Sequence, residues 1–137
     1  MDLRAIAPRV RSSTERALLW LEALLAIAAY GGGLSFIVGA ADLGEATADL
    51  PLGSIVLAGW ALVLVNGALP TVVLIGAVRR RRWATRWGHL VVGTALIGWV
   101  VIQVAVLGPP MHWLPVVYVA YGVVILALAT RLRRATP

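Results

Sequence analysis

Few residues in this chain can do chemistry, and one carboxylate dominates them. Of the six acidic side chains, Asp2, Glu15, Asp42, Glu45 and Asp49 fall in polar stretches, whereas Glu22 lies inside a long apolar run. If that run spans a membrane, a charge there costs ~2.5–3.5 kcal/mol on insertion scales and faces the interior of a helix bundle. Two readings follow: a proton or cation site, or a carboxyl hydrogen-bonded to a neighbouring helix. Burial generally favours the neutral form of a carboxyl, which is the property a proton carrier uses. Ala26, Ala29 and Gly33 continue the stripe on which Glu22 lies, and their small size lets another helix come close. His89 enters its own apolar run at a similar depth, so a Glu22 to His89 contact is geometrically allowed; a histidine beside basic residues is equally at home as an interfacial group.

Three further polar residues interrupt the apolar runs. Asn66 lies in mid-run, and Pro70, four residues on, deprives its carbonyl of the usual helical partner and favours a bend. Gly59, Asn66 and Pro70 share a helical face. Gln103 and Tyr118, with Tyr121 expected at a similar depth and Tyr30 as a further member, either line an outward-facing polar pocket with Asn66 or make interhelical hydrogen bonds worth about 0.6–2 kcal/mol each. The candidate binding residues are therefore Glu22, Asn66, Gln103, Tyr118 and His89.

Other chemistries lack their residues. The chain has no cysteine, which removes disulfides, thiolate catalysis and thiolate metal sites. His89 and His112 are expected on opposite sides of a membrane, so no metal site is expected. Gly31-Gly32-Gly33 lacks the following Lys and Ser/Thr of a phosphate loop and lies within a run, where glycine serves close packing. No nucleophile elbow, catalytic acid pair or nucleotide fingerprint is present. No cofactor is expected. The leading expectation is a non-enzymatic membrane component that binds a partner protein, lipid or small apolar ligand within the bundle. The alternative is a proton-coupled transporter working as an oligomer with Glu22 as coupling carboxylate, and an enzyme comes third.

The elements that must position these groups are set by composition. The 137 residues are 61% hydrophobic and 13% charged, against roughly 25% charged in soluble domains. A chain this short cannot wrap so much apolar surface in water. In a bilayer the same runs need only face lipid. The expected architecture is one all-α domain, a four-helix transmembrane bundle, with spans at about 17–38, 55–78, 88–107 and 116–130. Outer loops are expected at 39–54, which carries the acids and Pro51, and at 108–115, where Pro109, Pro110 and Pro115 cannot sit in a helix interior. Residues 79–87, with Arg79-Arg80-Arg81-Arg82 and Arg86, form the expected cytoplasmic loop.

All twelve basic residues are arginine, and they gather at the N-terminus, the central loop and the C-terminus. By the positive-inside rule both termini are cytoplasmic and the protein is multi-pass in the plasma membrane. This bias accounts for the net charge of +6 without nucleic acid. The absence of lysine hints at a GC-rich bacterial genome. The first run is longer than the ~7–15 residues of a signal h-region, so an uncleaved anchor is expected despite the small residues Gly39-Ala40-Ala41. Expected partners are the bilayer, anionic lipid headgroups at the arginine clusters, and a second copy or another membrane protein. Trp20, Trp83, Trp87 and Trp113 lie near the expected interfaces, as anchors do.

Trp20-Leu21-Glu22 and Trp87-Gly88-His89 begin corresponding runs, although so short a match between two halves is within the reach of chance. A four-span chain with one glutamate in its first helix resembles the small multidrug resistance transporters. That likeness implies dimeric exchange of protons for lipophilic cations, with Glu22 as coupling carboxylate. The chain differs from them in its longer, acidic first outer loop and its strong charge bias. Over most of its length it is similar to a loose group of uncharacterised bacterial four-span membrane proteins. The shared features are Glu22, Gly31-Gly32, Asn66-Gly67, Trp99 and Gln103, and this likeness implies a fold and no activity.

Overall fold

The computed structural model describes residues 10–41, 44–45, 50, 53–108 and 113–135. The first arginines of the N-terminal cluster, Asp2, Asp42, Asp49, Pro51 and residues 109–112 lie outside the described residues. Among the described residues there is no strand. Four long helices follow one another: α1 (Ser13–Ile37), α2 (Ile55–Val78), α3 (Ala84–Leu107) and α4 (Leu114–Ala135), each long and apolar enough to cross a membrane.

Helix ends follow from capping. The Ser12 hydroxyl, in the run Ser12-Ser13-Thr14 that offers cap residues, accepts the Glu15 N–H at 3.1 Å, so the helix begins one turn before the apolar span at about Ala17. Glu15 sits in the first turn, where its charge suits the helix dipole, and it pairs with Arg11. Ser54 caps α2 through the Leu57 N–H. The α2 terminus closes in a Schellman arrangement, with Arg81 N–H bonded to the Gly76 carbonyl and Arg80 N–H to that of Ala77. Arg80 takes the left-handed conformation (φ 55°) that glycine usually fills at this position. That tight stop leaves a loop shorter than the expected 79–87, and α3 begins at Ala84. At the other end α4 runs past the expected Thr130, carrying Arg131, Arg133 and Arg134 on helical turns where cations suit the dipole.

The helices form an up-down-up-down square. α1 packs on α2 and α4, and α3 packs on the same two, so α1 and α3 are diagonal to each other. Two glycine crossings set the hairpins. A Cβ on Gly33 would sit 2.8 Å from the Gly59 carbonyl, and one on Gly93 would sit 3.1 Å from the Gly122 carbonyl. Backbones this close admit no side chain between them. Of the expected Gly31-Gly32-Gly33 packing stretch, Gly33 makes the crossing, Gly32 makes ordinary contact with Leu62, and Gly31 faces open space.

At the end that carries the arginine turn, here termed the arginine end, the interior is closed by Leu18, Val73, Ala84, Ile125 and Ala129, among others. Most of the remaining surface is apolar: Trp20, Ile27, Val72, Val101 and Val116 are each more than half exposed. Water would not tolerate so much apolar surface on so small a body, whereas lipid suits it.

Candidate functional site

α1 turns its small-residue stripe inward, and Glu22 goes in with it, fully buried beside Leu18, Ala26 and Ala29. α3 begins with a π-helical segment, Ala84–Gly88, and His89 follows it directly, 1% exposed. Gly88 lets this start of α3 lie against Val73 of α2, because a Cβ there would come within 2.8 Å of that side chain. His89 and Glu22 then meet across the diagonal of the square, His89 Nδ1 lying 2.7 Å from Glu22 Oε1. That distance is at the short end for a charge-assisted N–H···O bond.

The allowed contact is therefore made. It joins the two residues that follow Trp20 and Trp87 at the same spacing. With one proton between them the two side chains are neutral overall, either as carboxylate and imidazolium or as carboxylic acid and imidazole. The far atoms of both, Glu22 Oε2 and His89 Nε2, are buried without a hydrogen-bond partner. Each end of the pair thus has one unused polar atom for a water or ligand group.

Tyr121 was expected near the depth of Gln103. Instead its hydroxyl donates at 2.7 Å to the carbonyl of Leu21, the residue that precedes Glu22. α4 descends toward the arginine end by 1.5 Å per residue, and the long phenol side chain covers the rest. The residue belongs with the pair, a role that sequence spacing had not disclosed.

The other polar candidates do not line one outward pocket; of the two readings of their spacing, interhelical hydrogen bonding is the one seen, at Tyr30. Asn66 is buried on a π-helical segment of α2, Val63–Ala68, just before Pro70, and its Nδ2 has no partner. The Pro70 effect is a local widening of the helix, with the Leu69 N–H reaching the Leu64 carbonyl five residues back. Thr71 donates to the Gly67 carbonyl at 2.7 Å and accepts from the Tyr30 hydroxyl at 2.9 Å, while the Tyr30 ring lies where a Cβ on Gly67 would be. Tyr118 packs against the apolar core.

Gln103 is in a different setting. It lines a cavity of about 280 Å³ among α1, α2 and α3, toward the end opposite the arginines. The other walls are apolar: Phe36, Leu50, Leu57, Leu62, Trp99 and Ile102 among them. Gln103 brings the one side-chain amide to that wall, able to donate and accept. Among the described residues no three His, Asp or Glu side chains gather as a metal site. Compared with protein-family models, with curated proteins and with solved structures, the chain gives no match, so the reading of the site rests on its own geometry.

Proposed function

We propose that this chain is a small multi-pass protein of a bacterial inner (plasma) membrane, with both termini cytoplasmic, which binds a small apolar ligand or lipid chain within its bundle and does no covalent chemistry. The observation that carries this is the cavity beside Gln103. Its volume of about 280 Å³ lies at the foot of the roughly 300–1,000 Å³ range of ligand pockets, so its occupant is a short chain or a single ring. Apolar walls with one amide favour an occupant with one carbonyl or hydroxyl group.

Trp99 in the wall supplies the test. In purified full-length protein, a short brominated alkane should quench tryptophan fluorescence saturably, and the saturable part should vanish in Trp99→Phe. Quenching that rises without saturation, equal in wild type and variant, would remove the cavity as a binding site.

The Glu22–His89 pair supports a second reading, proton-coupled transport by an oligomer with Glu22 as the coupling carboxylate. A fully buried carboxyl with an unused oxygen is what such a step needs. Infrared difference spectra of lipid-embedded protein, recorded against Glu22→Gln, separate the readings. A glutamate band that titrates between about pH 5 and 8 and shifts with ligand favours coupling. A band that never titrates there leaves the pair as a structural joint and the cavity as the functional site.

A further inference from the structure

Besides Arg11, which pairs with Glu15 and donates to the Val78 carbonyl, and Arg16 at the start of α1, eight arginines crowd the arginine end: Arg79 to Arg82 in the α2–α3 turn, Arg86 at the start of α3, and Arg131, Arg133 and Arg134 on the last turns of α4, all eight exposed. The sequence places no acidic residue anywhere from 50 to 137, so α2, α3 and α4 have no carboxylate of their own to neutralise them. The three segments meet, because the first turns of α3 pack on the end of both α2 and α4.

One arginine is held in a set orientation. The Arg133 guanidinium lies over the Trp87 ring, 4.1 Å from its centroid. Stacking occupies a face of the planar cation and leaves its N–H edge free to bond, in the fork geometry that matches phosphate oxygens. The setting also defines the source of the phosphate. Trp83 and Trp87 are about half exposed, as interfacial anchors are, and the arginines start directly after the apolar span at Val78. These groups therefore stand at the depth of lipid headgroups.

We propose that the Arg133–Trp87 stack, together with Arg86 and the arginine turn, is a binding site for the phosphate of an anionic phospholipid in the adjoining leaflet. This differs from charge-based topology, which counts positive charges and is indifferent to their shape. A stacked fork requires arginine.

The test is a titration of full-length protein, purified in neutral detergent, with phosphatidylglycerol or phosphatidylcholine, bound lipid being counted by native mass spectrometry. Wild type should retain phosphatidylglycerol in preference to phosphatidylcholine. Arg133→Lys keeps the charge and Trp87→Leu keeps every cation, yet each should weaken retention by roughly fivefold, the scale of a lost cation–π contact. Inorganic phosphate at the same concentration should not displace the lipid; if it does, the site takes free anions and the lipid assignment falls. Equal retention of both lipids, or an Arg133→Lys variant as good as wild type, would leave a diffuse positive surface and overturn the proposal. Helicity and melting temperature verify the fold, and Arg133→Lys decides the matter alone if Trp87→Leu does not fold.

Discussion

The two ends of the bundle treat their inward polar side chains in opposite ways. Toward the arginine end, Glu22 and His89 are paired at 2.7 Å across the diagonal, with the interior closed around them. Toward the other end, Gln103 stands at the wall of a cavity among apolar side chains. A paired polar group in a packed interior fixes geometry, because parting the pair would strand Glu22 Oε1 and His89 Nδ1 in addition to the two far atoms that already lack partners. A lone amide beside free volume costs little to rearrange. The first region is built as a joint between the two hairpins, and the second as a place where something can enter.

The sharpest way to break this comparison is to remove one partner of the joint. His89→Ala leaves the Glu22 carboxyl buried alone and should cost about 3–5 kcal/mol of stability, read by denaturant unfolding in mixed micelles. Glu22→Gln retains an oxygen to accept from His89 and should cost distinctly less. If the two variants unfold alike, the pair is not what joins the hairpins.

Next in size are the crossings. Gly33→Leu drives a side chain into the Gly59 carbonyl and Val63, and should cost about 1–3 kcal/mol by overpacking. Gly31→Leu, two residues away, meets nothing within 4 Å and should stay within about 0.5 kcal/mol of wild type in the same melts. Comparable losses in both would mean that glycine serves backbone conformation here and not close approach.

Smaller again is Tyr121→Phe, which strips the bond to the Leu21 carbonyl and should cost about 1 kcal/mol. Combined with His89→Ala it should be non-additive, since both act on the Glu22 segment of α1. The smallest stability effect is expected at the open end. Gln103→Leu should alter melting by no more than about 0.5 kcal/mol while changing which brominated probes bind, apolar ones gaining and hydroxyl-bearing ones losing. A large loss of stability from Gln103→Leu would make the amide a structural group and erase the contrast between the ends.

How much of this was legible can be judged residue by residue. The four helices follow from apolar runs too long and too continuous for a soluble core. The inward stripe of α1 follows from the spacing of Glu22, Ala26, Ala29 and Gly33. The start of α1 was legible as a cap among Ser12, Ser13 and Thr14 with Glu15 in the first turn, whereas the central loop shortened because the arginine turn closes in three residues on the left-handed Arg80, which hydropathy does not register. Among the glycines, the stripe from Glu22 already marked Gly33 for close approach, and the crossing uses it, whereas Gly31 and Gly32 of the same stretch make no crossing. Tyr121 was assigned to the wrong depth, since a residue's height along its helix does not say where a long side chain ends.

By itself the sequence determined what each helix must do: its place in the chain, its apolar surface, the end at which its arginines gather, and the stripe that turns inward. These are properties of one helix against its solvent, and periodicity with charge placement encodes them locally. The tertiary structure alone decided which polar groups meet. Glu22 and His89 are 67 residues apart, and their bond depends on α1 and α3 being diagonal in the square, which two glycine crossings and the packing of both helices on α2 and α4 impose. The same arrangement left Asn66, Tyr118 and Gln103 in separate surroundings, and left space beside one of them, because the relative placement of helices is set by packing between chain segments that no local pattern records.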